Sequence, residues 1–305
     1  FRRLSAAVLA WLALWLACLL PAPAVAAALS LETTPALSLG EWTGVLVEED
    51  AGLDIATVAG LARAGRLAPV GRPVPAFGIA APPVWLHLAL DNGSGRALPR
   101  QLLVGTTWID RLDVWLLHEG EVVAHWRAGD GDADRQRPLP ALGYVFSHDF
   151  SPGRTELFVR AQTADPLVLP LRILDPAQAA QLQLRQHYSY GLLYGFLLAL
   201  VAYTLLLYSG LRERSYLDYA LYLASFVFMN LAYTGHGYAW LWPDSPGLQR
   251  WIILVAMVTF AVLGLRFASR FLGLPQQAPR VARAVRRFGV IAFTLLAMAI
   301  LTQQQ

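Results

Sequence analysis

Two kinds of hydrophobic pattern divide the chain. Residues 84–92, VWLHLALDN, alternate Val84, Leu86, Leu88 and Leu90 against Trp85, His87, Ala89 and Asp91. A period of two predicts a strand with one buried face, and Asn92-Gly93-Ser94-Gly95 closes it with turn residues. Residues 111–127 predict a hairpin that turns at Glu119-Gly120. GYVFSHDF, RTELFVRAQ and PLVLPLRI predict further short strands, separated by Ser151-Pro152-Gly153 and Asp165-Pro166. The stretch 53–65 reads as a helix, with Asp54 as N-cap and Gly65 beyond its end. Short strands at this spacing predict a β-sandwich of jelly-roll type over residues 36–174.

From Asp175 the pattern changes. Asp175 suits an N-cap, Pro176 suits the first helical turn, and AQAAQLQLRQ supplies strong helix formers. No proline interrupts the run that follows, so one helix is predicted from Ala177 to Tyr208, roughly 45–50 Å long at 1.5 Å per residue. Its polar part, 175–189, connects the sandwich to an all-α polytopic membrane bundle over 190–305. Apolar runs at 190–208, 217–235 and 251–271 each approach the roughly 20 residues that cross a ~30 Å hydrocarbon core. A fourth run, 288–301, is shorter. Because the chain opens on Phe1 and this run ends before Thr302, the sequence is read as a fragment truncated in the fourth span.

Composition agrees with two solvents. Of 305 residues only 15% are charged, and the mean hydropathy is +0.45, whereas soluble domains carry about a quarter charged residues. The net charge of +3 rests on arginine, with no lysine. These arginines sit in short clusters beside apolar runs, not on the dense basic face of a nucleic-acid binder. Arg2 and Arg3, the apolar run from Leu4 to Leu20, Pro21, Pro23 and Ala24-Val25-Ala26 read as a signal peptide over 1–28; an uncleaved anchor is the other reading. Cys18 lies in that run, so a cleaved chain has no disulfide or thiolate metal site.

The charged stretch SGLRERSYLDYALY (209–222) then sets the orientation. Arg212 and Arg214 lie between the first two runs; Arg266, Arg270, Arg280, Arg283, Arg286 and Arg287 flank the third and fourth. The intervening loop carries Arg250 beside Asp244. Arginine-rich loops face the cytoplasm, which puts the sandwich outside, as a signal peptide also requires. Gly210 is expected to end the first membrane helix. Ser215 and Asp218, at S-x-x-D spacing, are expected to form a capping box for the second. Tyr216, Tyr219 and Tyr222 are assigned to the headgroup level. A charged site within the membrane is the rival reading, disfavoured by the cost of buried charge.

Candidate chemistry is sparse. Asp130, Asp132 and Asp134 alternate like the start of a calcium loop, but Arg135 and Ala141 stand where that loop needs Gly and Glu, so a solvated loop is preferred and no metal is assigned. Trp85, Trp108, Trp115 and Trp126 offer a stacking platform for a sugar ring. Trp85 and Trp115 lie opposite the aliphatic stripe, which favours exposure; core packing is the alternative use of all four. His236 is read as an exposed loop histidine or a sensor of periplasmic pH. Asn230 is expected to hydrogen-bond another helix or act as a signalling switch. No Ser/His/Asp order, paired carboxylate cleft or phosphate-binding glycine loop is visible, so no catalytic residue or cofactor is assigned.

GLLYGFLLALVAYTLLLYSGLRERSYLDYALY, followed by GHGYAWLWPDSP, resembles the first membrane spans of the bacterial seven-transmembrane receptors with diverse intracellular signalling modules. PPVWLHLALDN, LLVGTTWIDRLDVWLL, YVFSHDF and LFVRAQTADPLVLPLRI resemble the type 2 extracellular domain found ahead of such bundles. The resemblance implies a periplasmic jelly-roll sensor in the inner membrane, a dimer, and a cytoplasmic output such as a diguanylate cyclase or histidine kinase, of which these residues carry no motif. The expected ligand is a small molecule or saccharide. The alternative is a membrane enzyme or transport component that uses the sandwich to capture carbohydrate.

Overall fold

The computed structural model describes residues 28–48, 52–129 and 138–302. The segment read as a signal peptide, up to residue 27, and the Asp130–Asp134 loop lie outside the described residues. The first half runs β1 (Leu29–Ser30), β2 (Gly44–Val47), α1 (Ile55–Arg63), β3 (Ala68–Pro69), β4 (Ala76–Gly78), β5 (Val84–Asn92) and β6 (Leu98–Val104). It continues with β7 (Arg111–His118), β8 (Glu121–Ala128), β9 (Tyr144–Phe150), β10 (Gly153–Gln162), β11 (Leu167–Val168) and β12 (Leu171–Leu174). Among the described residues the larger sheet has the order β3-β2-β5-β10-β7-β8, with β1 added in parallel beside β5. A second sheet, β12-β6-β9, and the pair β11-β4 complete the strands.

The alternation along β5 becomes two buried faces. Its aliphatic stripe, Val84, Leu86, Leu88 and Leu90, joins Leu102, Phe146, Phe150 and Ile173 of the smaller sheet in the sandwich core. The opposite face is covered by α1, whose Val58 and Ala59 pack on Trp85, Leu117 and Phe158. Trp85 is therefore 1% exposed, against the expectation of an outward indole. Asp54 caps α1 as expected, its carboxylate accepting from the Thr57 amide at 2.8 Å. The β7–β8 hairpin turns on Glu119 and Gly120, both at positive φ (52° and 89°), the conformation that matches strand twist in a two-residue turn.

The second half runs α2 (Pro176–Leu211), α3 (Arg214–Tyr233), α4 (His236–Trp240), α5 (Pro246–Phe271), α6 (Leu274–Gln277) and α7 (Pro279–Thr302). Asp175 caps α2, accepting from the amides of Ala177 and Gln178 at 2.9 Å each. The first turns of α2 dock on the smaller sheet, where Ala179 packs with Leu103 and Leu174. Among the described residues, the helices 176–211, 247–271 and 279–302 are long and apolar enough to cross a membrane. Helix α3, which carries Asp218, Asn230 and four tyrosines, is less apolar and is not among them, although 217–235 was read as a span.

Three local expectations are corrected. Helix α2 passes through Gly210, and Arg212 takes the left-handed cap position at φ 56°. Glu213 stands at the N-cap of α3 without a side-chain bond, so Ser215 and Asp218 form no capping box there. The last helix begins at Pro279, placing Arg280, Arg283, Arg286 and Arg287 on its own first turns and not in a loop. Helix formation continues through them because arginine is a good helix former.

Candidate functional site

Helix α2 carries the chain away from the sandwich and α3 brings it back, giving the bundle a near end and a far end. At the near end the loops after β6 and before β9 meet the end of α3. The Thr107 hydroxyl donates to the Tyr233 carbonyl at 2.9 Å, and the Ala141 amide donates to the Thr234 carbonyl at 2.8 Å. Trp108 stacks on Tyr233 with ring centres 4.6 Å apart, while its own N–H donates to the Pro166 carbonyl at 3.0 Å.

The backbone at this joint tolerates little change. Ala141 holds a positive φ of 60°, uncommon for a residue with a side chain. A Cβ on Gly143 would lie 2.4 Å from the Gly105 carbonyl oxygen, so only glycine fits where the two loops cross. Behind them, Thr234 Oγ1 lies 2.6 Å from His236 Nδ1 and 3.1 Å from the Tyr194 hydroxyl. His236 also packs against the rings of Tyr190 and Trp240. It is 1% exposed, not an exposed loop histidine. Burial, aided by the nearby His187 charge, pushes its pKa down to about 4, so it is neutral at physiological pH.

A cavity of about 240 Å³ opens at this joint. Its wall combines Trp108 and Arg172 from the sandwich with Gln186 and Tyr190 of α2 and Tyr233 of α3. Thr106 also lines it, and its buried hydroxyl has no hydrogen-bond partner among the described residues. A small polar molecule held here would touch both halves of the protein.

The other tryptophans are elsewhere. Trp85 stacks on Trp115 at 5.1 Å, and Trp115 on His125 at 4.6 Å. Trp85 donates to Glu48 at 3.2 Å, and Arg160 donates to the same carboxyl at 2.9 Å. Burial alone would raise the Glu48 carboxyl, but Arg160 and the Gly52 and Leu53 amides outweigh it and hold it below the ordinary range. Trp126 lies at the edge of the sandwich core against Phe146. The four indoles therefore do not share one platform. Among the described residues no cluster of potential metal ligands is present.

The far end is ionic. Asp218, 1% exposed, is ion-paired to Arg266 at 3.0 Å and also to Arg270. The two arginines stand one turn apart on α5, so one carboxylate on α3 ties both. Tyr219 and Tyr222 pack on Phe267, and Tyr222 on Phe260, so both rings meet α5. Asn230 donates to the Phe226 carbonyl of its own helix at 3.0 Å, not to a neighbour. The i, i+4 spacing of Arg266 and Arg270 was the available signal for this triad. Nothing in it named Asp218 as the partner.

Residues 40–175 match the family model described as 7TMR-DISM extracellular 2, and residues 186–305 match the model described as 7TM diverse intracellular signalling. The chain belongs to the 7TMR-DISM family. Its two modules meet in the first turns of α2 and touch again at the near-end joint. The 7TMR-DISM families are sensory receptor domains for intracellular signalling, and the joint is where the extracellular module of this chain reaches the membrane module. No curated protein matches the chain. Among solved structures, a family 35 carbohydrate binding module from an environmental isolate is 14% identical, over 32% of this chain and 69% of that one, with a TM-score of 0.20. The insecticidal delta-endotoxin Cry8Ea1 from Bacillus thuringiensis is 15% identical, over 34% and 19%, with a TM-score of 0.22. The strand order itself, not these likenesses, carries the sandwich assignment.

Proposed function

We propose that the chain is the sensory input portion of an inner-membrane receptor, with its sandwich in the periplasm and its arginine-rich far end in the cytoplasm. A small periplasmic molecule, of monosaccharide size, binds in the joint cavity, and the shift passes through α2 and α3 to an output domain outside these 305 residues. A diguanylate cyclase or histidine kinase is the output that fits the family. The observation that carries this reading is the joint: hydrogen bonds and a ring stack link the sandwich directly to the end of α3. A ligand shifts such a device only by preferring one arrangement of the two halves. A cavity walled by both halves supplies that preference.

The cavity volume argues for a single small ring or short acid, since drug-sized pockets run to roughly 300–1,000 Å³. Trp108 offers a stacking face, Arg172 and Gln186 offer donors, and Thr106 offers an unused hydroxyl. The test is a thermal-shift screen of the whole chain in detergent against monosaccharides and small carboxylates. At least one compound is expected to raise the melting temperature, with the shift lost in Arg172→Gln. No shift with any of them would overturn the ligand reading. Arginine-proximal reporters at Arg212 test the orientation independently; a reporter there that is active outside the cell would overturn it.

A further inference from the structure

We infer that the far end of the bundle holds a specific site for an acidic glycerophospholipid. Between α5 and α7 runs a groove of about 1050 Å³. Its outer rim carries Arg266, Arg270, Arg283 and Arg286, and no acidic residue lines it. Farther in, Val262, Val290 and Phe293 line an apolar floor. Gly289 faces Val262 there; a Cβ would approach it within 3.2 Å.

The charge at this rim is not neutralised internally. Asp218 satisfies Arg266 and Arg270 together, leaving one positive charge over from that pair. Arg283 donates to the Pro279 carbonyl at 3.3 Å, and neither it nor Arg286 has a carboxylate within ion-pair distance among the described residues. A cationic rim continuous with an apolar floor is the shape of an amphiphile: a phosphodiester at the guanidinium forks and an acyl chain along Val262 and Phe293. Arginine pairs bidentately with phosphate oxygens, and basic pockets between membrane helices bind anionic headgroups. Free phosphate would leave the apolar floor bare. A second copy seated by two-fold symmetry would set like charges against each other.

The experiment uses native mass spectrometry of the whole chain in neutral detergent, with phosphatidylglycerol or phosphatidylcholine added. Phosphatidylglycerol is expected to be retained preferentially. In Arg283→Gln/Arg286→Gln retention should fall about 25-fold, taking each arginine as worth about fivefold. Arg63→Gln/Arg66→Gln, in the sandwich, is the control for net charge and should leave retention unchanged. Equal retention of both lipids, loss of the adduct in millimolar inorganic phosphate, or an adduct displaced by dimerisation would each overturn the lipid site. So would its displacement by a further receptor helix when the chain is studied in its longer context.

Discussion

The two ends of the bundle are held by opposite means. At the near end the contacts are neutral: a hydroxyl and an amide on two carbonyls, a Trp108–Tyr233 stack, and a histidine whose charge is suppressed. At the far end one buried carboxylate ties two guanidiniums across helices. Neutral contacts of this kind are each worth about 1 kcal/mol and can be exchanged one for another as the halves shift. A buried ion pair has no such substitute, because breaking it strands a charge. A ligand at the near end would therefore rearrange neutral contacts at small cost, while at the far end the Asp218 pairings keep α3 and α5 together as one unit.

The largest effect is expected at Gly143, in the near-end joint. Gly143→Ala puts a Cβ on the Gly105 carbonyl and forces a positive φ of 78° on alanine, so a loss of about 2–3 kcal/mol is expected. Urea unfolding of the sandwich should register it while the helical signal of α3, α5 and α7 is retained. Equal loss at both ends would mean the ends are not separable.

Asp218→Asn should cost about 2 kcal/mol, below the 3–5 of a fully buried pair because Arg266 and Arg270 reach solvent. Titration with a denaturing detergent should show α5 releasing earlier, with the sandwich unaffected. Thr107→Val removes one joint hydrogen bond for about 1 kcal/mol. Its sharper readout is the ligand-induced thermal shift, which should shrink because Thr107 lines the joint cavity.

The smallest effect at neutral pH is that of His236. Its folded-state pKa lies near 4, below the ordinary 6.5. Between these values the unfolded chain binds more protons, so joint stability is complete above pH 6.5 and declines as pH falls towards 4. His236→Gln should flatten that part of the profile; an unchanged profile would mean the histidine is not buried in solution.

The sequence made some of this legible. The N-cap at Asp175 and the proline-free run after it read correctly as one long helix, because capping and propensity are local. The hairpin turn at Glu119-Gly120 was equally plain. Alternation along β5 separated two faces but could not say what covers the second one. Trp85, outward by the alternation alone, is covered by α1, whose Val58 and Ala59 lie 27 and 26 positions earlier in the chain. Asn230 chose its own helix because Phe226 stands one turn back with a carbonyl in reach.

By itself, then, the order of residues determined β5, the β7–β8 hairpin, β9, β10, helix α1 and the long helix after Asp175, and which half is polar enough for water and which apolar enough for lipid. Those properties follow from periodicity, caps and transfer free energy within a short window. Only the tertiary structure decided that Thr107 and Trp108 meet Tyr233, that Asp218 answers Arg266 and Arg270, and that four tryptophans serve three different sites. Such pairings join residues tens to more than a hundred positions apart, and no local pattern encodes which distant surface closes over which.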